Sequence, residues 1–104
     1  MNSPLEMLKG LVVTKADIVH DYVQLAFGES VGLSIYNEMS LAPKSNHIGQ
    51  LKGKCVKSVS ESEESIVITF TDGMCLIVDM HPVAYRGPEA LQLNRRGEPP
   101  VIWN

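Results

Sequence analysis

The sequence predicts a mainly β fold with short helical turns, in which two pseudo-symmetric three-stranded antiparallel meanders pack as a small sandwich or partly open barrel. Three observations support this prediction. The chain contains an internal repeat, apolar and polar residues alternate over segments of strand length, and turns that contain glycine separate these segments. A single flat sheet would leave one layer of apolar side chains uncovered, so the two meanders are expected to cover each other.

The repeat relates residues that lie 43 positions apart, without a gap. It contains six identities, which are Leu8 with Leu51, Lys9 with Lys52, Gly10 with Gly53, Val13 with Val56, Phe27 with Phe70 and Leu33 with Leu76. These matches fall where one recurring supersecondary unit needs them. The expected organisation is a single domain over 1–104, with repeat one at about 3–37, a linker at 38–45, repeat two at about 46–80 and a C-terminal tail at 81–104.

Each copy is predicted to begin with one helical turn that follows a polar cap. Ser3 is the expected cap in copy one, and Asn46 is the expected cap in copy two. Each turn carries two apolar residues three positions apart, which therefore share one side of the turn and can pack over a sheet. These pairs are Leu5 with Leu8 and Ile48 with Leu51.

Three strands are predicted to follow in each copy. The first pair is Val12–Ile18 and Cys55–Ser60, the second is Val23–Phe27 and Ile66–Phe70, and the third is Leu33–Tyr36 and Leu76–Asp79. The second strands show the clearest alternation, which is typical of a half-buried strand. Thr71-Asp72-Gly73 is a strong hairpin signal because glycine adopts a positive φ at little cost, and Gly28-Glu29-Ser30 is its looser counterpart.

The linker and the tail carry weaker signals. Pro43 is expected to block continued pairing in the linker, because proline lacks the N–H that a ladder needs. Gly87–Leu91 is suited to start one short helical turn, and Arg95–Gly97 predicts a turn. Val101–Trp103 predicts an edge strand whose tryptophan would anchor the C-terminus if it were buried.

Composition and charge argue against several classes of protein. A hydrophobic content of 44% and a charged content of 20% are typical of an ordinary globular domain. The net charge of −3 and the small number of aromatic residues argue against a nucleic-acid partner. No apolar run approaches the roughly 20 residues of a membrane span, so no membrane partner is expected. The N-terminus does not resemble a secretion signal, and Cys55 and Cys75 lack a paired spacing, so a cytoplasmic protein with reduced thiols is expected.

The residue types that catalyse reactions or bind metals are scattered, and no enzyme is predicted. His20, His47 and His81 do not have the spacing of metal ligands, so neither a metal nor another cofactor is expected. His20-Asp21-Tyr22 is the first candidate for a site, at the turn between the first two strands. Neighbours on an extended chain point to opposite faces, so these residues cannot form a catalytic triad by themselves. An enzyme built on His20 and Asp21 would need His47 or His81 to join them in a cleft.

Two interpretations of the polar segments remain open. His20-Asp21-Tyr22 is either an exposed polar turn or part of a partner-binding surface. Glu61, Glu63 and Glu64 are either a solvated hairpin tip or an acidic contact patch, which would speed association with a basic partner more than it would add affinity. The repeat duplicates core positions but not these segments, so the function is expected to lie in them.

The chain resembles a group of small, mostly uncharacterised bacterial proteins in the order of its motifs. These motifs are Asp21-Tyr22-Val23-Gln24-Leu25-Ala26-Phe27, then Phe70-Thr71-Asp72-Gly73, then Gly87-Pro88-Glu89-Ala90 and a near-terminal Trp103. The resemblance covers nearly the whole chain, and its motifs are structural. In size and character the chain also resembles the immunity proteins of contact-dependent growth inhibition systems, which bind and neutralise a cognate toxin, often a nuclease.

The second resemblance implies a non-catalytic binding protein that covers the active site of a cognate toxin. The expected partner-binding residues are His20, Asp21, Tyr22, Tyr36, Glu61, Glu63 and Glu64. Tyr22 or Tyr36 would be the anchor that carries much of the binding energy, and the acids would supply specificity. The alternative is a small ligand-binding or assembly subunit of β-barrel type, whose ligand-binding form an enclosed apolar pocket would favour.

Overall fold

The computed structural model describes residues 3–45 and 47–104. These residues form two antiparallel sheets of five and four strands, which confirms the prediction of a mainly β, sandwich-like fold. The two sheets do not close into a barrel. The strands are β1 (Val13–Val19), β2 (Tyr22–Phe27), β3 (Val31–Ile35), β4 (Met39–Ala42), β5 (Val56–Glu61), β6 (Ser65–Phe70), β7 (Cys75–Asp79), β8 (Leu91–Arg95) and β9 (Val101–Trp103). Three 3₁₀ helices cover Pro4–Leu8, Ile48–Leu51 and Pro82–Ala84. Within the described ranges, no helix is both long enough and apolar enough to cross a membrane.

The two sheets exchange strands. Sheet one has the order β1-β2-β3-β8-β9, and sheet two has the order β4-β7-β6-β5. Each meander supplies three consecutive strands of one sheet. The strand that follows a meander then leaves its sheet, because β4 follows β3 but pairs with β7, and β8 follows β7 but pairs with β3. The segment that follows each copy therefore completes the sheet of the other copy.

Backbone hydrogen bonds repeat the pseudo-symmetry where the copies meet. The Gly10 N–H donates to the Val56 carbonyl at 2.9 Å, and the Gly53 N–H donates to the Val13 carbonyl at 2.7 Å. The same 43-residue offset relates these two bonds. Gly10 and Gly53 have φ angles of +85° and +90°, which side chains rarely allow, so this geometry accounts for glycine at both positions.

The first two 3₁₀ helices also cross between the copies. The first helix packs against β5 and the second against β1. Ser3 caps the first helix as predicted, because its Oγ accepts a hydrogen bond from the Leu5 N–H at 3.1 Å. Asn46, the predicted cap of the second helix, lies outside the described residues. The predicted apolar residues of both helices are buried, namely Leu5, Leu8, Ile48 and Leu51.

The predicted set of strands is incomplete, because the linker contains one as well. Met39–Ala42 forms β4, which buries Leu41 and exposes Ser40. The strand ends immediately before Pro43, in agreement with the inability of proline to continue a ladder. A four-residue strand is too short to produce a distinct periodic signal, so only its pairing with β7 reveals it.

The prediction of a helical turn at Gly87–Leu91 is wrong. Leu91 begins β8, and the 3₁₀ helix of the tail lies earlier, at Pro82–Ala84. The reason is the alternation that starts at Leu91, because Leu91 and Leu93 are fully buried opposite β3 whereas Gln92 between them is not. Burial against a partner strand therefore decides the structure of this segment.

The core lies between the two sheets, and β2, β6, β7 and β8 contribute every second residue to it. The fully or nearly fully buried side chains include Val23, Leu25 and Phe27 of β2, Ile66, Ile68 and Phe70 of β6, Leu33 and Ile35 of β3, and Leu76 and Val78 of β7. The predicted edge strand at Val101–Trp103 is confirmed as β9. Trp103 is half-buried and packs against this core.

Candidate partner-binding site

The two hairpin tips that contain the predicted site residues flank one end of the molecule. Asn37 Nδ2 donates to the Asp79 carbonyl at 2.9 Å, which joins the end of β3 to the end of β7. The β1–β2 hairpin turns beside the end of β3, because Val23 pairs with Ile35. The β5–β6 hairpin turns beside the end of β7, because Ser65 pairs with Asp79. The fold therefore brings two segments distant in sequence toward a shared surface.

His20 and Asp21 form the two-residue turn of the β1–β2 hairpin, because Val19 pairs with Tyr22. His20 has a φ of +57°, the sign that a type II′ turn requires at its first central residue. Both turn residues are exposed. The ring centroids of Tyr22 and Tyr36 lie 5.2 Å apart with a tilt of 52° between the rings, within the range of favourable aromatic pairs. Two predicted anchors therefore form one aromatic unit.

Arg86 links this hairpin to the C-terminal tail. Its NH1 donates to the main-chain carbonyl of Asp21 at 2.6 Å. A surface cleft of about 200 Å³ lies here, lined by Asp21, Tyr22, Tyr36, Arg86, Gly87, Pro88 and Glu89. The Gly-Pro-Glu part of the Gly87–Ala90 motif therefore forms a wall of the cleft beside the tyrosine pair.

Glu61 has a role inside the fold. Ser3 Oγ donates to Glu61 Oε1, and Trp103 Nε1 donates to Glu61 Oε2 at 3.0 Å. The carboxylate thus joins the beginning of the described chain, the end of β5 and the last strand. We infer that Glu61 is less available to a partner than the other two predicted glutamates.

Glu63 and Glu64 are exposed on the β5–β6 turn. Ser62 organises this turn, because its Oγ accepts hydrogen bonds from the Glu64 N–H at 3.3 Å and the Ser65 N–H at 3.2 Å. The turn residues have no positive φ, in contrast to His20 at the equivalent position of copy one. Both carboxylates therefore project from an ordered tip.

Glu64 also lines a second cleft, of about 360 Å³, together with Glu38, Asp79 and His81. The His81 N–H donates to Asp79 Oδ1 at 2.9 Å, and His81 Nδ1 lies 2.6 Å from the same oxygen. The first of these bonds, and then the second, lower the pKa of Asp79. Asp79 is therefore ionised at neutral pH, and the cleft presents acidic groups from three segments.

A third cleft, of about 230 Å³, lies between the β1–β2 hairpin and β4. Ile18 lines it and is 59% exposed, and Met39 lines it from β4. Asn37 also lines this cleft, is only 3% exposed, and has an Oδ1 without a hydrogen-bond partner among the described residues. Asp21 and Arg86 also line the first cleft, and Met39 also lines the second, so the third cleft is adjacent to both of the others.

This surface is more acidic than the net charge of the protein indicates. We call it the acidic rim, and it comprises Asp21, Glu38, Glu63, Glu64, Asp79 and Glu89 together with Tyr22, Tyr36, His81 and Arg86. It holds six of the 12 acidic residues but one of the nine lysines and arginines, a formal charge of −5 with His81 neutral. The other six acidic and eight basic residues leave the rest of the chain at +2.

The three histidines occupy different settings. His20 lies on the β1–β2 turn, whereas His47 and His81 precede the second and third 3₁₀ helices. Within residues 3–45 and 47–104, no group of three or more histidine, cysteine, aspartate or glutamate side chains is arranged to hold a metal ion. Cys55 and Cys75 are half-buried free thiols. The groups that the acidic rim presents to a partner are charged side chains, hydrogen-bonding groups and aromatic rings.

Among the rim residues, Asp21, Tyr22, Tyr36, Glu63 and Glu64 are predicted from the sequence, whereas several other rim and cleft residues are not. The missed residues include Ile18, Asn37, Glu38, Asp79 and Arg86. They lie singly at strand ends or in the tail, and they meet only because the ends of β3 and β7 are adjacent. Ile18 carries no signal of this kind either, because only the structure shows that its side chain is exposed.

Comparison of the chain with protein-family models, with curated proteins and with solved structures finds no match. These comparisons transfer no residue role to the candidate site. Its interpretation depends on the charges, contacts and exposure described above.

Proposed function

We propose that this protein is a non-catalytic binding protein, most specifically a bacterial immunity protein that binds a cognate toxin and covers its active site. The acidic rim docks on the basic, substrate-binding surface of that toxin. The observation that carries the proposal is the separation of charge, with −5 on the rim and +2 on the rest of the chain. Nucleases bind an anionic substrate, so their substrate surfaces attract such a rim.

The two components of the rim have different tasks in this proposal. The exposed carboxylates accelerate encounter with a basic partner and reject acidic ones. The Tyr22–Tyr36 pair, with Arg86 beside it, supplies the large side chains that dominate interface energy. Glu61 contributes to the scaffold and not to binding. The protein acts in the cytoplasm, where it meets the toxin before the toxin reaches its substrate.

The alternative is a small ligand-binding or assembly subunit of β-barrel type. The ligand-binding form requires an enclosed apolar pocket. The interior between the sheets is instead filled by fully buried side chains such as Phe70, Leu25 and Ile68. The three clefts described above lie at the surface. These observations favour a protein partner over a small apolar ligand.

The test uses the toxin encoded immediately upstream of this chain and a double charge reversal at the rim. Glu63→Lys with Glu64→Lys is expected to slow association at least about tenfold at low salt, and to weaken the salt dependence of the association rate. Asp17→Lys with Glu29→Lys is the matched control, because it changes the net charge equally at exposed residues outside the rim.

Association kinetics and rescue of growth in cells that express the toxin are the two measurements. The control pair is expected to retain rescue and to change the association rate less than twofold. Equal effects of the two double variants would show that only net charge matters. Failure of the wild-type protein to bind or rescue would reject the immunity function.

A further inference from the structure

The two sheets end differently although the repeat relates them. In sheet one, β8 is covered by β9, whereas in sheet two the strand at the same place in the sheet order, β4, pairs only with β7 and forms the edge. The edges at β1 and β5 are packed by the second and first 3₁₀ helices. The edge at β9 is three residues long, and its Trp103 is held by Glu61. Of the four edges, β4 is thus the one that no helix or strand-end contact of this kind covers among the described residues.

The equivalent contacts at the two edges show what is different. In copy two, Glu61 on the hairpin strand β5 reaches Trp103 of β9. The equivalent residue of copy one is Ile18 on the hairpin strand β1. Ile18 is 59% exposed and lines the third cleft together with Met39 of β4. An apolar side chain is therefore exposed to solvent where copy two has a strand-to-hairpin contact.

The polar groups of the third cleft match a peptide main chain. Asn37 Oδ1 is a buried acceptor without a donor among the described residues, which is unfavourable for a buried polar atom. Arg86 offers guanidinium donors in the same cleft. A peptide unit supplies one N–H donor and one carbonyl acceptor, and the edge of β4 presents main-chain groups of both kinds.

We propose that β4 accepts an extended segment of the partner protein as an additional strand of sheet two. The segment alternates apolar and basic residues, with the apolar side chains against Ile18 and Met39 and the basic ones toward Glu38, Glu64 and Asp79. This rests on the proposed function, since it describes how the same partner is held. A second copy of this chain is the less suitable occupant, because it would bring two acidic rims together.

The probe is a short synthetic peptide of alternating valine and lysine residues, compared with a twin that is methylated at alternate backbone nitrogens. The twin keeps every side chain and charge but cannot complete the ladder. The parent peptide is expected to protect β4 amides from hydrogen exchange, and the twin is expected to bind at least about tenfold more weakly. Equal binding of both peptides would reject strand addition while leaving charge-based binding by the rim intact.

Two variants locate the contact. Ile18→Arg is expected to weaken the parent peptide about tenfold, because it removes apolar surface and adds repulsion beside β4. Ile102→Arg, on the exposed side of β9, is the matched control with an expected change below twofold. Unchanged melting temperatures would show that both variants fold. Exchange protection in β9 instead of β4, or a concentration-dependent dimer that Ile18→Arg abolishes, would overturn the assignment.

Discussion

The two copies of the repeat share a scaffold but differ at their hairpin tips and outer edges. Both copies contain the same glycine geometry, the same three-stranded meander and reciprocal backbone bonds across the pseudo-two-fold. Copy two is closed by the contact of Glu61 with Ser3 and Trp103, whereas copy one leaves Ile18 exposed beside β4. The core positions that the two copies share therefore determine the fold, whereas the candidate site lies at the hairpin tips and outer edges, where the copies differ.

The largest expected effect tests whether the two halves of the core are energetically equivalent. Leu8→Ala and Leu51→Ala each remove a fully buried side chain at related positions, so each is expected to lower the free energy of unfolding by about 2–5 kcal/mol. Urea denaturation measures both losses. A difference above about 2 kcal/mol between them would show that the structural symmetry does not extend to packing energy.

The next comparison concerns the two edges. Glu61→Ala removes the acceptor for Ser3 and Trp103 and is expected to lower the free energy of unfolding by about 1 kcal/mol. Ile18→Ala, at the equivalent position, is expected to change it by less than about 0.5 kcal/mol because Ile18 is largely exposed. Equal losses in urea denaturation would mean that Ile18 makes a stabilising contact that its exposure does not indicate.

Glycine substitutions at the equivalent positions of the two hairpin turns are expected to change the free energy of unfolding in opposite directions. His20→Gly is expected to raise the free energy of unfolding by up to about 1 kcal/mol, because glycine adopts the positive φ of His20 without strain. Glu63→Gly, at the equivalent position, is expected to lower it by about 0.5–1 kcal/mol, because glycine only adds freedom to the unfolded chain there. Thermal melting of both variants against wild type decides this, and effects of the same sign would contradict the assigned turn geometries.

The smallest effect is a pH dependence that only copy two contains. The Lys54 side chain, and then the Met74 N–H, donate hydrogen bonds that lower the pKa of Asp72. Because the folded pKa is lowered, this contribution to stability is present above the ordinary aspartate pKa of about 4 and is lost as the pH falls through the folded pKa. Leu11, the counterpart of Lys54 in copy one, cannot donate such a bond.

A carboxyl NMR titration checks this prediction. In Lys54→Met, the pKa of Asp72 is expected to rise toward its ordinary value but to remain below it, because the Met74 N–H still donates at 3.0 Å. An unchanged pKa would assign the whole effect to the backbone. A matched titration of Lys57→Met, an exposed lysine of β5, controls for the general loss of positive charge.

In this chain the local residue pattern predicts most strands, but it does not predict which strands pair with each other. The alternation in β2 and β6 indicates both strands directly, and the repeat indicates that two similar units must cover each other. The exchange of β4 and β8 is not encoded in either segment alone, because each strand acquires its partner only through the tertiary fold. β4 is too short to produce a periodic pattern, and Gly87-Pro88 before β8 favours the prediction of a helical turn at the point where the strand begins.

The same distinction explains the candidate site. Asp21 and Tyr22 lie in one run of neighbouring polar residues, and Glu63 and Glu64 lie in another, so both runs are visible in the sequence. Asn37 and Arg86 are ordinary single residues until the end of β3 meets the end of β7. Their contribution depends on an unsatisfied acceptor and a shared cleft, which are properties of the folded chain alone.

The exchange of fourth strands has a further consequence. Since the strand after each copy completes the sheet of the other copy, the topology is that of a strand-swapped homodimer whose two subunits are joined in one chain. A true homodimer has identical subunits, so any change at one end appears at the other as well. Fusion removes that constraint. It allows Trp103 to be bound at one outer edge while the other edge stays uncovered, so the proposed binding face occurs once and not twice.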